Sequence, residues 1–215
     1  MYKTILFDFD GTLTPSLDLW LEAYRYATNV CGLNLDDSEL IERWFYTSYT
    51  ELCDYYKLPS PEIVDKLVEE GLAQAWTHAE LYPLALDLLE SCRNAGMNIG
   101  MVTSSYRNQV EHSLKKLGIA EYFGAVVTAG DTPEFKPSPA PVWLALDKLK
   151  VKAEDTIFVG DYEVDVKAGK AAGTATALFL PKQNAPYYDF EALRATEPDF
   201  VFSHYQELMQ FLRFA

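Results

Sequence analysis

Two aspartates one residue apart, Asp8 and Asp10, stand where an apolar run gives way to Gly11, Thr12 and Thr14 in the stretch FDFDGTLT. Residues 4–9 are apolar, β-branched and aromatic without clean alternation, the pattern of a strand buried on both faces. Two carboxylates at the mouth of such a strand are costly to desolvate unless a cation or strong donors compensate them. Residues of the matching types recur later: Thr103 and Ser104 end another apolar run, Asp161 ends a further one, and Lys136 follows a third within a short loop. Acids able to hold a cation would then lie beside hydroxyls and an ammonium able to hold an anion. A random distribution would hardly collect three carboxylates, hydroxyls and one lysine in such positions.

Bringing these residues together requires strands that end at one edge. Residues 98–105, 125–129, 156–161, 174–180 and 199–202 are further strand runs. Helical patterns lie between them, over 84–95 ending at Gly96, 107–117 stopping at Gly118, 138–149 and 163–173, with a closing helix through Leu208, Phe211 and Leu212. Strands alternating with helices predict an α/β fold with a doubly wound parallel sheet. Ligands of such sheets bind at the carboxyl ends of the strands. Residues 16–81 instead read as helix after helix. Ser16 is a candidate cap for a helix carrying Leu17, Trp20, Leu21, Tyr24 and Ala27; Asp37 or Ser38 starts another through Trp44; Ser60-Pro61 starts one reaching about His78. The expected layout is an α/β core of residues 1–15 and 82–215 with an all-helical cap of residues 16–81.

The formal net charge of −14 argues against nucleic acid or an anionic membrane as partner, since both need clustered Lys and Arg. No stretch approaches a membrane span, and the first strand starts too early to leave room for a signal peptide. Cys31, Cys53 and Cys92 are odd in number and scattered, which fits a reducing cytoplasm. Phosphatases with a cysteine nucleophile carry an arginine at a fixed spacing after it; Asp37, Pro59 and Asn98 stand there instead.

Four pieces, DFDGTLT, MVTSS, KPSP and GDYEVD, occur in that order at compatible spacing. Through them nearly the whole chain resembles the haloacid dehalogenase-like superfamily, and more narrowly its phosphoglycolate phosphatase-like branch, which carries a helical cap after the first strand. The resemblance implies a Mg²⁺-dependent phosphomonoester hydrolase that acts on a small phosphorylated metabolite through a phospho-aspartate intermediate, as a monomer or homodimer. A phosphate monoester is a dianion that repels a carboxylate nucleophile, and a metal removes that repulsion. Asp8 would be the nucleophile. Asp10 would protonate the departing alcohol and later deprotonate the attacking water, its backbone carbonyl serving as a metal ligand. Asp8 and Asp161 offer hard oxygen ligands that suit Mg²⁺, and Asp165 would be a direct ligand or outer support. Gly11 permits the tight turn and a close approach of backbone to phosphate. Thr103, the amide of Ser104 and the Lys136 ammonium would cradle the phosphoryl oxygens.

Other readings stay open. A sugar-phosphate mutase on the same fold is one, although Trp20 stands where mutases of this kind commonly carry a histidine; a non-catalytic phosphate-binding protein is another. Asp161 and Asp165 could simply stabilise a helix N-terminus. The branch usually has an acidic residue where Pro15 stands and glycine where Leu84 follows Pro83. His78, His112 and His204 read as structural or solvated, and the aromatic group from Trp44 to Tyr56 as cap core. Thirteen acids against Arg25, Arg43, Lys57 and Lys66 in residues 16–81 disfavour a highly anionic substrate. The loop PKQNAPYYD is expected to border the site mouth through Lys182 or Tyr187.

Overall fold

The computed structural model describes residues 2–214. In chain order the elements are β1 (Thr4–Phe7), α1 (Leu17–Val30), α2 (Asp37–Trp44), α3 (Tyr49–Tyr56), α4 (Pro61–Ala75), α5 (Ala85–Asn94), β2 (Asn98–Tyr106), α6 (Arg107–Leu117), β3 (Ala125–Ala129), α7 (Ala140–Leu149), β4 (Thr156–Gly160), α8 (Glu163–Ala172), β5 (Ala175–Phe179), α9 (Phe190–Arg194), β6 (Phe200–Phe202) and α10 (Tyr205–Phe211). They form two compact units, one running through Pro15 and again from Glu80 onward, the other Ser16–Ala79.

The first unit is the α/β fold that the alternation predicts. Its six strands make one parallel sheet in the order β3-β2-β1-β4-β5-β6. All of β1 and β4 is buried, as their unbroken apolar runs require for strands covered on both faces. Leu6, Val102, Val127 and Phe158 from four adjacent strands pack against Val142, Ala145 and Leu146 of α7 and Ala168 and Ala172 of α8. The chain leaves β1 toward β2 and β3 on one side and later builds β4, β5 and β6 on the other. The order therefore reverses between β1 and β4, and such a reversal opens a crevice at the strands' carboxyl ends.

The second unit is wholly helical. Gly71 of α4 lies so close to Ala23 of α1 that a Cβ there would come within 2.8 Å of the Ala23 backbone. Tyr24 meets Trp44 and Phe45, and Trp44 meets Tyr56; of the expected aromatic core Trp44 is buried, whereas Tyr46 and Tyr55 are exposed and do not belong to it. One local reading needs correction. Ser16 is buried and makes no side-chain cap on α1, so its hydroxyl does not start that helix. The helix begun at Ser60 ends at Ala75, and Trp76–His78 continue as a single 3₁₀ turn. Leu84 precedes α5 with φ of 65°, a left-handed conformation that an L side chain adopts at a cost and glycine does not.

Candidate active site

Asp8 follows the last residue of β1, and its amide donates to the Val159 carbonyl of β4 (2.8 Å), which fixes it at the crevice. Asp161 follows β4, and Asp165 lies in the first turn of α8. One carboxylate oxygen from each of the three lies within 4.8 Å of the others, and all three residues are buried. Lys136, from the loop between β3 and α7, reaches into this group with its side chain only 3% exposed. Its Nζ donates to Asp8 Oδ1 at 2.7 Å, to Asp165 Oδ1 at 2.6 Å and to the Val102 carbonyl at 3.2 Å. The peptide bond that follows it, Lys136-Pro137, is cis.

Two glycines make room for the acids. Gly11 has φ of 73°, and a Cβ on it would overlap the Asp161 carboxylate. A Cβ on Gly160 would collide with the Asp165 side chain. Asp165 has two tasks, because Oδ1 takes the lysine while Oδ2 accepts from the Tyr162 amide at 3.1 Å. Capping and membership of the acidic group are thus combined in one residue.

Three buried acids face one ammonium, so full ionisation leaves two charges uncompensated, and desolvation makes that expensive. The acids register the deficit. Burial pushes Asp8 up to about 7 against the pull of Lys136, and the nearby Asp165 adds to the rise. Burial likewise drives Asp161 well above the usual carboxylate range, with Asp8 and Asp165 adding repulsion and hydrogen bonds from Tyr188 and Thr12 opposing it. Burial alone would lower Lys136, but Asp165 and Asp8 outweigh it and hold the ammonium above its ordinary value. A buried, all-oxygen donor set short of positive charge suits a hard divalent cation and gives a softer metal no nitrogen or sulfur ligand.

Asp10 stands apart from this trio. Its Oδ2 accepts from the Ser105 hydroxyl at 2.6 Å, and it pairs in an isolated bridge with Thr14. Thr103 is buried, and its Oγ1 accepts from the Ser105 amide at 3.1 Å. The Ser104 side chain is exposed, so the hydroxyl that meets an acid is that of Ser105. Period-two alternation puts residues 103 and 105 on one face of β2, and that signal was available in the sequence. The pairing of β2 with β3 also shifts register between Val102 and Tyr106, a local irregularity of the kind that re-aims side chains.

Further partners come from Thr12 of the first motif and from residues outside all four. Thr12 Oγ1 donates to Asp161 Oδ1 at 2.9 Å, and Tyr188 Oη donates to Asp161 Oδ2 at 2.6 Å. The Asn184 amide donates to the Gly11 carbonyl at 3.0 Å and lies 3.5 Å from Asp161 Oδ2. The buried Tyr205 hydroxyl donates to the Thr12 carbonyl at 2.5 Å. The loop after β5 therefore does reach the acids, but through Asn184 and Tyr188; Lys182 is exposed, and the buried Tyr187 is not the residue that meets Asp161. Among the described residues, no helix is long and apolar enough to cross a membrane.

The haloacid dehalogenase-like hydrolase family matches residues 5–179. A protein named pyrophosphatase PpaX from Anoxybacillus flavithermus is 32% identical over 214 residues, covering 98% of this chain and 96% of the relative. Among solved structures, a predicted phosphoglycolate phosphatase of Haemophilus somnus superposes with a TM-score of 0.80 at 21% identity, covering 99% of this chain and 98% of its own. CbbY of Rhodobacter sphaeroides, solved in complex with phosphate, superposes with a TM-score of 0.81 at 22% identity over 97% of this chain and 96% of its own.

Proposed function

The chain belongs to the haloacid dehalogenase-like hydrolase family, and within it we propose a Mg²⁺-dependent phosphatase that hydrolyses a small phosphate monoester through a phosphoryl-Asp8 intermediate. The observation that carries this reading is the convergence of Asp8, Asp161 and Asp165 on the single ammonium of Lys136, with Asp10 two residues from Asp8. Asp8, Asp161 and Asp165 would hold the metal together with the Asp10 backbone carbonyl. Once bound, Mg²⁺ offsets the negative charge of the acids and of the phosphoryl group, so that a dianion can approach a carboxylate.

Lys136 pins Asp8 Oδ1, which sets the direction of the second oxygen. That oxygen attacks phosphorus; the P–O bond to the alcohol breaks, and the departing oxygen takes a proton from Asp10. Asp10, now ionised, takes a proton from water, whose oxygen attacks the same phosphorus and releases Asp8 and inorganic phosphate. Ser105 holds one oxygen of Asp10 through both transfers. The Thr103 hydroxyl, the Ser104 amide and Lys136 are assigned to the remaining phosphoryl oxygens, and Gly11 to the close passage of the backbone.

The division into a catalytic core and a substrate-selecting helical cap, Ser16–Ala79, belongs to the same proposal. So does a cytoplasmic setting, which the three free thiols Cys31, Cys53 and Cys92 support. A second substrate, inorganic pyrophosphate, is favoured by the name of the relative that is 32% identical across nearly the whole chain. The test is hydrolysis of p-nitrophenyl phosphate, a panel of metabolite monophosphates and pyrophosphate, with Mg²⁺ or with chelator, by the wild type, Asp8→Asn and Asp10→Asn. Metal-dependent turnover lost in both variants is expected. Full activity of Asp8→Asn would overturn the intermediate, and turnover of pyrophosphate alone would replace the ester with the anhydride.

A further inference from the structure

We propose that Tyr188 and Asn184, on the loop between β5 and α9, form a neutral clamp that positions the Asp161 carboxylate for the divalent cation; the inference rests on the metal reading above. Asp161 is 1% exposed, so its charge depends on the donors that reach it. Those donors come from two separate places in the chain: Thr12 after β1 on Oδ1, and, from the loop after β5, Tyr188 and at greater length Asn184 on Oδ2. Bonds to both oxygens fix the rotation of the carboxylate plane, which one donor could not do.

Each arm of the clamp is itself held. The Tyr188 ring stacks on that of Tyr162 with centroids 5.1 Å apart, so its hydroxyl cannot swing away without losing the stack. Tyr162 is the residue directly after Asp161, and its amide is the donor to Asp165 Oδ2. Asn184 is 2% exposed and accepts from the Tyr82 hydroxyl at 2.6 Å while donating to the Gly11 carbonyl. Tyr82 in turn packs edge-on against Phe179 at the end of β5.

The clamp contains no cation. A lysine or arginine in place of Tyr188 would neutralise Asp161 and compete with a metal. A hydroxyl and an amide orient the carboxylate without adding charge, so they leave the charge deficit of the acids in place for the cation. Outer hydrogen-bond partners of metal ligands set affinity in this way, and their loss typically costs about 10–100-fold.

The test is calorimetric titration of the metal-free protein with Mg²⁺, without substrate, for the wild type, Asp161→Asn and Tyr188→Phe. Phenylalanine keeps the ring and its stack, so the variant removes a single oxygen. A dissociation constant raised about tenfold in Tyr188→Phe is expected, together with an equal rise in the Mg²⁺ concentration that half-saturates turnover. Excess Mg²⁺ should then recover most of the lost kcat, which it would not do for general damage to the fold. Wild type and Asp161→Asn titrating alike would sink the metal reading itself. If Asp161→Asn alone loses the metal and Tyr188→Phe binds as the wild type does, the clamp is refuted and the metal reading stands. A kcat loss that excess Mg²⁺ leaves uncorrected also refutes the clamp.

Discussion

Lys136→Met is the most exacting test of the site's electrostatics, because methionine fills similar space and removes the charge together with its three hydrogen bonds. In the native protein Nζ bridges Asp8 and Asp165 and satisfies the Val102 carbonyl, with 3% of the side chain exposed. Removing one partner of such a buried pair costs about 3–5 kcal/mol. At about 2–4 °C per kcal/mol for a chain of this size, the melting temperature should fall by roughly 6–20 °C near pH 8 in the presence of chelator. The loss should shrink in acid. Asp8 is raised by burial from 3.8 to about 7, so the folded state binds its proton more tightly than the unfolded chain does. Stability from that proton is complete below the unfolded value and disappears as pH rises through the folded one. Without Lys136 the native acids hold protons still more strongly, and near pH 5.5 protonation replaces the missing ammonium. Thermal denaturation followed by circular dichroism at both pH values checks the prediction. An equal loss at the two pH values, or a loss under about 1 kcal/mol near pH 8, would refute the view that one lysine carries the charge balance of the buried acids.

Ser105→Ala should lower kcat about tenfold with KM nearly unchanged, since the lost hydrogen bond orients Asp10 during proton transfer and a charge-assisted bond is worth about 1.5 kcal/mol; steady-state kinetics at saturating Mg²⁺ decides it, and an unchanged kcat removes Ser105 from the mechanism. Gly160→Ala forces a methyl group into the Asp165 side chain and should cost about 1–3 kcal/mol in urea denaturation; a neutral result would mean that Asp165 is not held against the strand end. Leu84→Gly should stabilise by about 0.5–1 kcal/mol, as relief of the left-handed strain exceeds the entropy cost of glycine. A melting temperature below that of the wild type would show that the exposed leucine contributes contacts worth more than its strain.

The sheet was legible because its central strands are buried on both faces, so TILF and TIFVG appear as unbroken apolar runs whose ends carry the acids. α6 was equally plain: its helical spacing stops at Gly118, which has φ of 69°. Short elements were harder. α3 carries a capping box between Ser48 and Glu51, a readable signal, but only eight residues over which to display a period. α9 has five residues and offers none. Within the site, the acids and the lysine were legible from type and place. Of their hydroxyl partners, Ser105 was distinguishable from Ser104 by its alternation with Thr103, whereas Tyr187 and Tyr188 differ only in which one the loop turns inward. Nothing local in PKQNAPYYD distinguishes its two tyrosines; the stack on Tyr162 does, and that contact exists only once β4 and β5 lie side by side.

A formal charge of −14 and an anionic substrate look opposed, and the thirteen acids of residues 16–81 sharpen the contrast. The conflict is one of scale. Exposed charges are largely screened beyond about 8 Å at physiological salt, whereas buried ones are not. The balance that a phosphoryl group would meet is therefore set chiefly by the buried Asp8, Asp161, Asp165 and Lys136 and by the cation proposed for them. That local balance is the same for an ester and for pyrophosphate, since each presents a terminal phosphoryl group. The two differ in what departs. Phosphate leaves readily as an anion, while an alkoxide must be protonated as the bond breaks. In the proposed mechanism Asp10, oriented by Ser105, serves the poorer leaving group, and water needs a base in either case. The pairing of Asp10 with Ser105 thus weighs toward the ester from inside the molecule, against the name of its relatives from outside.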